Sequence, residues 1–350
     1  MNTASLQLEY LSCGELAAQS ASWWRTVLGV VGFEKAPQLA LAQVPITASM
    51  TPSLGNTDDL CEVWRVAGGQ DVELSTGSLR QGRVHYRYCG ELLFGSITVD
   101  EKSLDGPNGD GGSAALLRAT TTSYQDIFGV LQETQHCHLI RVWNYLPEIN
   151  READGDERYR HFNSARQTAF RTSGRSTVGT VPAASALGSP AGSPISIYFL
   201  ASRRAPKMIE NPRQISAYYY PPKFGRFTPT FSRACVLSDS AGTNLFVSGT
   251  ASIVGHETIH PGDVRAQTRE TLANIDALIG EANRVVGAAQ YSLAGLKFKV
   301  YVRRPSDLAA IESALSDSVR ASTSIVYLQA DVCREDLLVE IEAAGESRPN

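Results

Sequence analysis

Apolar and polar residues alternate near the end of the segment Asp331–Glu342, and this pattern predicts a closing β-strand. Successive side chains of a strand point to opposite faces, so Val339 and Ile341 share one face and Glu340 and Glu342 share the other. Glutamate is usually exposed, which favours an edge strand with solvated carboxylates. The alternative is a cleft-facing Glu340 whose desolvation fits it for general acid catalysis near neutral pH.

Hydrophobic periodicity in the rest of the chain predicts one unit twice, in the order strand, helix, strand, helix, strand. In the first half, strands are predicted at residues 92–99, 138–145 and 195–200. A helix capped by Ser123 is predicted at 123–134 and a charged helix at 156–170, and residues 172–194 are predicted to form a loop rich in small residues. In the second half, strand, helix, strand, helix and strand fall at residues 244–253, 263–279, 296–303, 308–319 and 324–328.

An internal repeat of this size predicts two copies of one α/β module packed as pseudo-subunits. The predicted fold class is therefore α/β, or α+β. We predict an N-terminal domain of residues 1–205, which includes mixed N-terminal strands, and a C-terminal domain of residues 206–350. A cleft between two such modules is a natural ligand site, so we expect the active site there.

Composition narrows the classes of function. The 350 residues suffice for two ordinary domains, and a net charge of −4 argues against a general nucleic-acid or membrane-surface role. No apolar run approaches the roughly 20 residues that span a bilayer. The N-terminal residues 1–7 have neither the basic nor the apolar region of a signal peptide.

The cysteines and histidines predict neither a disulfide framework nor a metal site. The six cysteines are scattered along the chain and form no CxxC pair. His136 and His138 flank Cys137 in a close cluster, but no further ligands stand near them, which favours structural or exposed side chains. Scattered thiols fit a reducing compartment, so we expect a cytoplasmic protein.

The second half of the chain contains four segments that resemble one known family. They are Pro229–Ala234, Leu245–Gly249, Gln267–Ile275 and Val339–Glu342. In this order they resemble the small trimeric imine/enamine deaminases, which have the YjgF-like fold. The resemblance implies deaminase-like modules that form a pseudo-trimer-like core, with a site built from the Ser248–Gly249 strand and the closing glutamate. The arginine that completes the family's site has its place in Ala321–Ser324, which contains none.

A second, narrower resemblance runs from about residue 85 to the end. The segments that carry it are Arg141–Asn150, Arg158–Arg166, Ala184–Gly188, Asn211–Pro222 and Ser248–Thr258. Together they are similar to the chorismatases, cytoplasmic enzymes that use no cofactor. That family cleaves the enolpyruvyl ether of chorismate to pyruvate plus a cyclohexadiene diol or a hydroxybenzoate. The resemblance implies chorismate as the small-molecule partner, no cofactor, and one chain that imitates the deaminase trimer, which we expect to be a monomer.

Chorismate carries two carboxylates, and the planar fork of arginine suits carboxylates best. We predict that two or three arginines of the charged helix and of the tyrosine-rich stretch bind it, from the set Arg160, Arg166, Arg213, Arg226 and Arg233. The tyrosines at 218–220 are predicted to alternate on a strand, with one phenol, assigned to Tyr218, donating to a ligand carboxylate and the others packing in the core.

Cleavage of an enol ether requires one carboxyl group that acts first in its protonated state and then in its ionised state. Protonation of the terminal methylene carbon creates an oxocarbenium ion, so the acid must be protonated when the substrate binds and ionised afterwards. The resemblance assigns this role to Glu340. Glu342 lies on the same face one residue pair further on, and we assign it no role. His256 and His260 are alternative acids, but their turn positions favour structural roles.

Product choice is predicted to depend on Cys333. In the family, branches that form 3-hydroxybenzoate carry a cysteine seven residues before the catalytic glutamate, and Cys333 and Glu340 have this spacing. A thiol or thiolate that adds to the ring would help to displace the neighbouring group and let the ring aromatise, with room left by Gly249. Without the family spacing, an inert buried thiol is the simpler interpretation.

The predicted function is cleavage of chorismate to pyruvate and 3-hydroxybenzoate. Three alternatives stay open. In the first, the protein cleaves chorismate but forms a dihydroxycyclohexadiene carboxylate or a mixture of 3- and 4-hydroxybenzoate. In the second, the protein is an imine deaminase, which the missing arginine disfavours. In the third, it is a ligand-binding module without catalytic activity.

Overall fold

The computed structural model describes residues 5–39, 44–55, 59–67, 75–79, 84–104, 112–239 and 242–347. The N-terminal part forms a four-stranded sheet with two short helices. Its elements are β1 (Ser5–Ser12), α1 (Cys13–Ala17), α2 (Ala21–Trp24), β2 (Val27–Gly32), β3 (Ile46–Ala48) and β4 (Leu60–Ala67).

The middle of the chain forms a six-stranded sheet covered by two long helices. Its elements are β5 (Ser75–Leu79), β6 (Val84–Cys89), β7 (Leu92–Val99), α3 (Gly112–Glu133), β8 (His138–Pro147), the small pair β9 (Glu152–Ala153) and β10 (Asp156–Glu157), α4 (Arg158–Thr172), β11 (Ala183–Ser189) and β12 (Ile195–Ser202).

The C-terminal part forms a second six-stranded sheet. Its elements are β13 (Lys207–Ile209), β14 (Ala234–Asp239), β15 (Gly242–Ala251), the small pair β16 (Ile253–Val254) and β17 (Glu257–Thr258), α5 (Val264–Val286), β18 (Lys297–Val302), α6 (Leu308–Ser316), β19 (Ile325–Gln329) and β20 (Val339–Ser347).

The two six-stranded sheets have the same topology. The middle sheet has the order β11-β8-β12-β7-β6-β5, and the C-terminal sheet read from its far edge has the order β19-β18-β20-β15-β14-β13. In each sheet the first two strands are parallel, and the closing strand lies antiparallel between two neighbours. The prediction of two tandem α/β modules is therefore confirmed.

The N-terminal sheet is a reduced third copy, which the sequence did not predict. Its order is β3-β2-β4-β1, with β2 and β3 parallel and β4 antiparallel between β2 and β1. This arrangement matches the first four strands of each six-stranded sheet, without the two outer strands among the described residues. The predicted division at residue 205 stays a prediction, and residues 1–205 hold two of the three sheets.

Inner faces of all three sheets share one core. Trp64 of β4 packs 5.7 Å from Trp143 of β8 and 6.0 Å from Phe246 of β15, measured between ring centroids. Each ring comes from a different sheet, and all three are buried in one cluster. Burial of such large side chains is the main source of stability at this junction.

Local sequence signals explain the helix that covers the C-terminal sheet. The Asp263 carboxylate accepts a hydrogen bond from the Ala266 N–H and caps the start of α5, and Gly287 with φ +77° ends it. One face of α5, with Thr271, Ile275, Leu278 and Ile279, is buried against the sheet. No helix in the described part of the chain is both long and apolar enough to cross a membrane.

Three predicted elements were wrong in extent or type. Helix α3 begins at Gly112 and not at Ser123, because the threonines and alanines before Ser123 pack well on one face. Part of the predicted loop 172–194 is the strand β11, whose small residues fit between two sheets. The predicted tyrosine strand is a short 3-10 helix, Ala217–Tyr219.

Candidate active site

A cavity of about 400 Å³ lies between the middle and C-terminal sheets. Its walls are β8 and β11 of one module, β15 and β20 of the other, and the charged helix α4. The segments that precede β14 and β20 line the rest of the cavity. This is the location expected for a site between two packed modules.

Glu340 projects into this cavity from an interior strand. Its neighbours in the sheet are Ala251 of β15 and Tyr301 of β18. The predicted alternation is confirmed, because Val339 and Ile341 pack into the core under α5 on the opposite face. The edge-strand interpretation was wrong, since β20 is paired on both sides and Glu340 is only 4% exposed.

A glycine makes room for the Glu340 carboxyl. The pairing of β15 with β20 shifts between Val247 and Thr250, and Gly249 lies in this irregularity. A Cβ atom at position 249 would lie 1.9 Å from Glu340 Oε1 and 3.1 Å from Ser185 Oγ. Any larger residue would therefore displace the carboxyl group from its position on the cavity wall.

The surroundings of Glu340 keep its proton on at neutral pH. Burial is the main cause, and the nearby negative charge of Glu342 adds to it; together they raise the pKa of Glu340 to about 8. Three arginines oppose this rise without cancelling it: Arg141, Arg233 and Arg303. Within the described residues, no hydrogen bond or ion pair fixes the Glu340 carboxyl, so it is available to a ligand.

Glu342, to which the sequence assigned no role, lies in a buried ion cluster behind Glu340. Its Oε2 is 2.6 Å from Arg141 Nη2, and its Oε1 is 2.9 Å from Lys299 Nζ. The Trp143 indole N–H donates to Oε1 over 2.7 Å, and the Ser185 hydroxyl donates to Oε2 over 2.8 Å. Burial alone would raise the pKa of Glu342, but Lys299 and Arg141 outweigh burial and hold that pKa below its ordinary value.

Three arginines present unused donors at the cavity. Arg166 and Arg233 are buried, and Arg334 stacks 4.0 Å above the ring centroid of Phe224. Each has one buried nitrogen without a hydrogen-bond partner in the described structure, and none forms an ion pair with a described carboxylate. Glu210, which accepts a hydrogen bond from the Arg233 backbone N–H, adds a nearby negative charge to Arg233. Cations without a carboxylate at ion-pair distance are costly to bury, so this wall is suited to an anionic ligand.

The remaining bonds of these arginines fix their direction. Arg166 donates from Nε to the Tyr124 hydroxyl over 2.7 Å and from Nη1 to the Thr230 carbonyl. Arg233 donates from Nη2 to the Tyr220 hydroxyl over 2.7 Å. The guanidinium planes are therefore oriented before a ligand binds, which lowers the entropy lost on binding.

Six of the ten predicted site residues line the cavity. They are Arg160, Arg166, Arg233, Gly249, Cys333 and Glu340. Arg160 is only half-buried, and it is 3.1 Å from Asp156 in an ion pair between Nη1 and Oδ1. Its charge is therefore partly neutralised by a carboxylate at ion-pair distance, unlike the charges of Arg166 and Arg233.

The other four predicted site residues lie outside the cavity lining. Arg213 forms an ion pair with Glu270, and Arg226 is exposed beside Phe227. Tyr218 lies on the 3-10 helix and does not line the cavity, whereas Tyr220 does. Ser248 is fully buried, where its hydroxyl donates to the Ser232 carbonyl over 2.6 Å and accepts from the Ala184 N–H over 3.0 Å. These contacts give Ser248 a structural place between β11 and β15.

Neither histidine considered as an alternative acid lines the cavity. His256 lies 3.0 Å from Glu257, between Nε2 and Oε1. His260 is exposed and lies 3.6 Å from Glu270, between Nε2 and Oε2. The turn positions of both residues agree with the structural roles predicted from the sequence.

Cys333 lies on the segment before β20 and lines the same cavity as Glu340. Burial, followed by the charge of Glu340, raises the pKa of the Cys333 thiol to about 12. The thiol is therefore neutral at physiological pH, and a proton acceptor is needed before its sulfur attacks a ligand. Cys333 is free, as are the other five cysteines.

Several cavity residues were missed by sequence reasoning, among them three that carry polar side chains at the ligand space. Tyr159 and Asn163 project from α4, and Arg334 follows Cys333 directly. Burial, followed by the nearby Cys333, raises the pKa of the Tyr159 phenol above its ordinary value, so it remains a neutral donor. Tyr159 and Asn163 are four residues apart on a predicted helix, and this i, i+4 spacing was the signal that would have placed both on one face.

Comparison with known proteins gives consistent matches over nearly the whole chain. The family described as chorismatase FkbO/Hyg5-like, N-terminal, matches residues 62–201. A 3-hydroxybenzoate synthase of Streptomyces hygroscopicus is 36% identical over 337 residues, which are 91% of this chain and 91% of that protein. A chorismatase of Streptomyces rapamycinicus is 34% identical over 349 residues, which are 97% of this chain and 98% of that protein.

A solved structure shares the fold as well. The crystal structure of a chorismatase at 1.08 Å resolution superposes with a TM-score of 0.84 at 28% identity. The match covers 99% of this chain and 99% of that one. The N-terminal sheet is therefore included in the similarity.

Proposed function

The chain belongs to the chorismatase family, and on that basis we propose that it cleaves the enolpyruvyl ether of chorismate to pyruvate and 3-hydroxybenzoate. The observation that carries the proposal is the position of Glu340, a buried carboxyl with a pKa of about 8, on the wall of a cavity with unpaired arginines. A protonated acid beside cations is the combination that an anionic enol ether requires.

Substrate binding rests on the arginines that have no described carboxylate at ion-pair distance. Two carboxylates entering the cavity would offset two of the three charges of Arg166, Arg233 and Arg334, and their oxygens would supply acceptors to the buried N–H groups. The Arg233 charge acts on Glu340, which places it near the acid. The enolpyruvyl carboxylate is bonded to the carbon next to the methylene, so we assign that carboxylate to Arg233 and the ring carboxylate to the other arginines.

The first chemical step transfers the Glu340 proton to the methylene carbon. A C–H bond forms, the double bond supplies the electron pair, and the positive charge is shared by the neighbouring carbon and the ether oxygen. Glu340 becomes a carboxylate next to this cation and stabilises it electrostatically. The same group is the proton donor first and the counter-ion afterwards.

The second part of the reaction sets the product. The Glu340 carboxylate formed in the first step is the acceptor that the neutral Cys333 thiol needs. The thiol gives its proton to Glu340, the sulfur bonds to the ring, and the hydroxyl next to the ether leaves as water with the proton that Glu340 now holds.

One water adds to the oxocarbenium carbon and returns a proton to Glu340; the bond from that carbon to the ether oxygen then breaks, so that pyruvate leaves and the ether oxygen stays on the ring as the hydroxyl of 3-hydroxybenzoate. Loss of the ring proton beside this oxygen expels the sulfur as a thiolate, which takes up that proton, and the ring becomes aromatic. This route adds no net water to chorismate, whereas the diol route adds one.

A coupled assay tests the proposal. Chorismate incubated with the protein is expected to release pyruvate, and chromatography is expected to show 3-hydroxybenzoate as the main ring product. Since Glu340 acts in its protonated form, kcat/KM should fall about tenfold per pH unit above a pH of about 8. An imine substrate that is deaminated while chorismate stays intact would support the deaminase alternative, and turnover of neither substrate would support the binding module.

The Cys333→Ala variant tests the origin of the aromatic product. Without the thiol, water is the remaining nucleophile, so we expect pyruvate release to continue while the ring product shifts from 3-hydroxybenzoate toward the diol. Chromatography with equal amounts of pyruvate released gives the ratio of ring products. Cys137→Ala is the control, because Cys137 is exposed and lies outside the cavity. An unchanged hydroxybenzoate fraction in Cys333→Ala would contradict the role of the thiol.

We further propose that the protein acts as a cytoplasmic monomer. All six cysteines are free thiols, which agrees with a reducing compartment. Three sheets with a common strand order in one chain support a single chain acting where the deaminase family uses three subunits. Its substrate is a small molecule, as in the relatives.

A further inference from the structure

We infer that Glu342 is a positioning residue, which keeps Glu340 protonated for the reaction, and that the N-terminal sheet supports it through Glu62. This inference rests on the proposed function. It follows from a buried ion cluster at which all three sheets meet. The cluster lies behind the cavity wall and does not touch the ligand space.

The cluster is built from four charged side chains. Lys299 Nζ lies within ion-pair distance of Glu62 on β4 and 2.9 Å from Glu342 Oε1 on β20. Arg141 of β8 completes it by pairing with Glu342 Oε2 over 2.6 Å. Glu62 and Lys299 are each 1% exposed. Two carboxylates and two cations balance each other in this dry environment.

Matching positions in the three sheets supply the cluster. Glu342 pairs with Lys299 between the closing strand β20 and its neighbour β18. Glu62 lies on the closing strand β4 of the N-terminal sheet, and the middle sheet contributes Tyr198 from β12. The Tyr198 hydroxyl accepts from Lys299 Nζ over 2.9 Å. The closing strand of the N-terminal sheet thus supplies a carboxylate, whereas the closing strand of the middle sheet supplies a neutral hydroxyl.

Glu340 lies next to the ion cluster but has no cation of the cluster as its partner. Arg141 and Lys299 are both committed to other carboxylates, so neither serves as a counter-ion for Glu340. Ser185 joins the two sites, because its hydroxyl donates to Glu342 and accepts from the Gly249 N–H over 3.0 Å beside the Glu340 carboxyl. Glu342 is therefore a fixed negative charge two residues from the acid on the same strand face.

Charged and titratable groups face Glu340 from every neighbouring element. The groups that act on Glu340 most directly are Glu342 on its own strand, Arg141 on β8, Arg233 before β14, Arg303 after β18, Cys333 before β20 and Tyr159 on α4. Tyr301 of β18 is its direct strand partner, and the cavity lining adds Glu157, Arg160, Arg166, Lys223, Glu257, Arg334, Glu335 and Asp336. Arg303 is paired with Asp331 over 2.8 Å, which weakens its pull. Among the negative groups, Glu342 acts most strongly on Glu340, so it opposes the arginines that would ionise Glu340.

Two substitutions with opposite signs test the inference. Glu342→Gln removes the negative charge, so the high-pH limb of kcat/KM should move down by roughly one pH unit. Arg141→Gln removes a cation near Glu340 while Lys299 still holds Glu342 ionised, so the limb should move up. Glu62→Gln is the matched control: it removes the same charge from the cluster at a greater distance, and we expect a smaller shift than for Glu342→Gln.

A second readout does not depend on turnover. Carbon-13 NMR of protein labelled at the glutamate carboxyl carbon, with Glu340→Gln to assign the signal, follows the titration of Glu340 directly. We expect the Glu340 midpoint to move in the same directions as the kinetic limb. A role limited to structure would lower the melting temperature of the variants and leave both midpoints in place.

The outcomes separate this inference from the proposed function. If the wild-type protein releases no pyruvate from chorismate, the proposed function fails, and the NMR titration still reports on Glu342. If the wild type is active but Glu342→Gln and Arg141→Gln shift the limb in the same direction, or Glu62→Gln shifts it as far as Glu342→Gln, the inference is overturned. Should Glu342→Gln fail to fold, an unmoved or lowered limb in Arg141→Gln overturns it alone.

Discussion

Replacing Glu340 with glutamine is expected to lower kcat by roughly 10²–10⁴-fold, the usual contribution of a general acid. Glutamine keeps the size of the side chain but supplies no acidic proton to the methylene carbon. Because the cavity wall and its arginines stay in place, chorismate should still bind, and its dissociation constant should change little. Pyruvate release under saturating substrate measures kcat, and calorimetry with the inactive variant measures binding.

Glu346→Gln is the matched control for this experiment. Glu346 lies on the same strand and the same face as Glu340, but it is exposed and outside the cavity. Its turnover should stay within about twofold of the wild type, as expected for a surface substitution. If Glu340→Gln retained a tenth or more of the wild-type turnover, the proton would have to come from another group, and the assignment would be wrong.

Replacing Arg166 with glutamine is expected to lower kcat/KM by about 30-fold or more. Loss of one partner from a buried, hydrogen-bonded charge pair costs roughly 2–5 kcal/mol, and each 1.4 kcal/mol is about tenfold. Arg166 has no counter-ion in the described structure, so its charge is of use only when a ligand binds. The loss should appear mainly in KM, because Arg166 does not supply the proton.

The stability of the same variant gives an independent check. Removing a buried charge without a partner relieves a desolvation cost, so the ligand-free variant should melt within a few degrees of the wild type. A non-reacting chorismate analogue should raise the melting temperature of the wild type much more than that of Arg166→Gln. Arg226→Gln, at an exposed arginine outside the cavity, should match the wild type in both measurements. Equal KM values for the two variants would contradict the role of Arg166.

Much of the fold was accessible from the sequence because it is a local property. Periodicity in segments such as 92–99 and 263–279 predicted strands and helices that β7 and α5 confirm. The repeated order of those elements predicted two modules with the same topology. The third sheet was missed because β1–β4 lack the long helices that make the repeat visible, and its match lies only in strand order.

The predicted site residues that lie outside the cavity have a common physical cause for their position. Arg213, Arg226 and Arg233 look alike in sequence, yet one forms an ion pair with a carboxylate, one is exposed, and one is buried with no described carboxylate at ion-pair distance. Charge and motif select the residue type, whereas the neighbours in space decide whether the charge is free for a ligand. The hydroxyl of Ser248 is likewise committed by its neighbours, since both of its hydrogen bonds are made within the protein.

The sequence by itself determined that Glu340 and Glu342 share one face of a strand, because side chains alternate in any extended backbone. What covers that face was decided only by the tertiary structure. There β20 became an interior strand, and Glu342 met Lys299 and Arg141 while Glu340 met an open cavity. Two identical side chains two residues apart thus received opposite protonation states, because burial and nearby charges, which come from other sheets, set a carboxyl pKa.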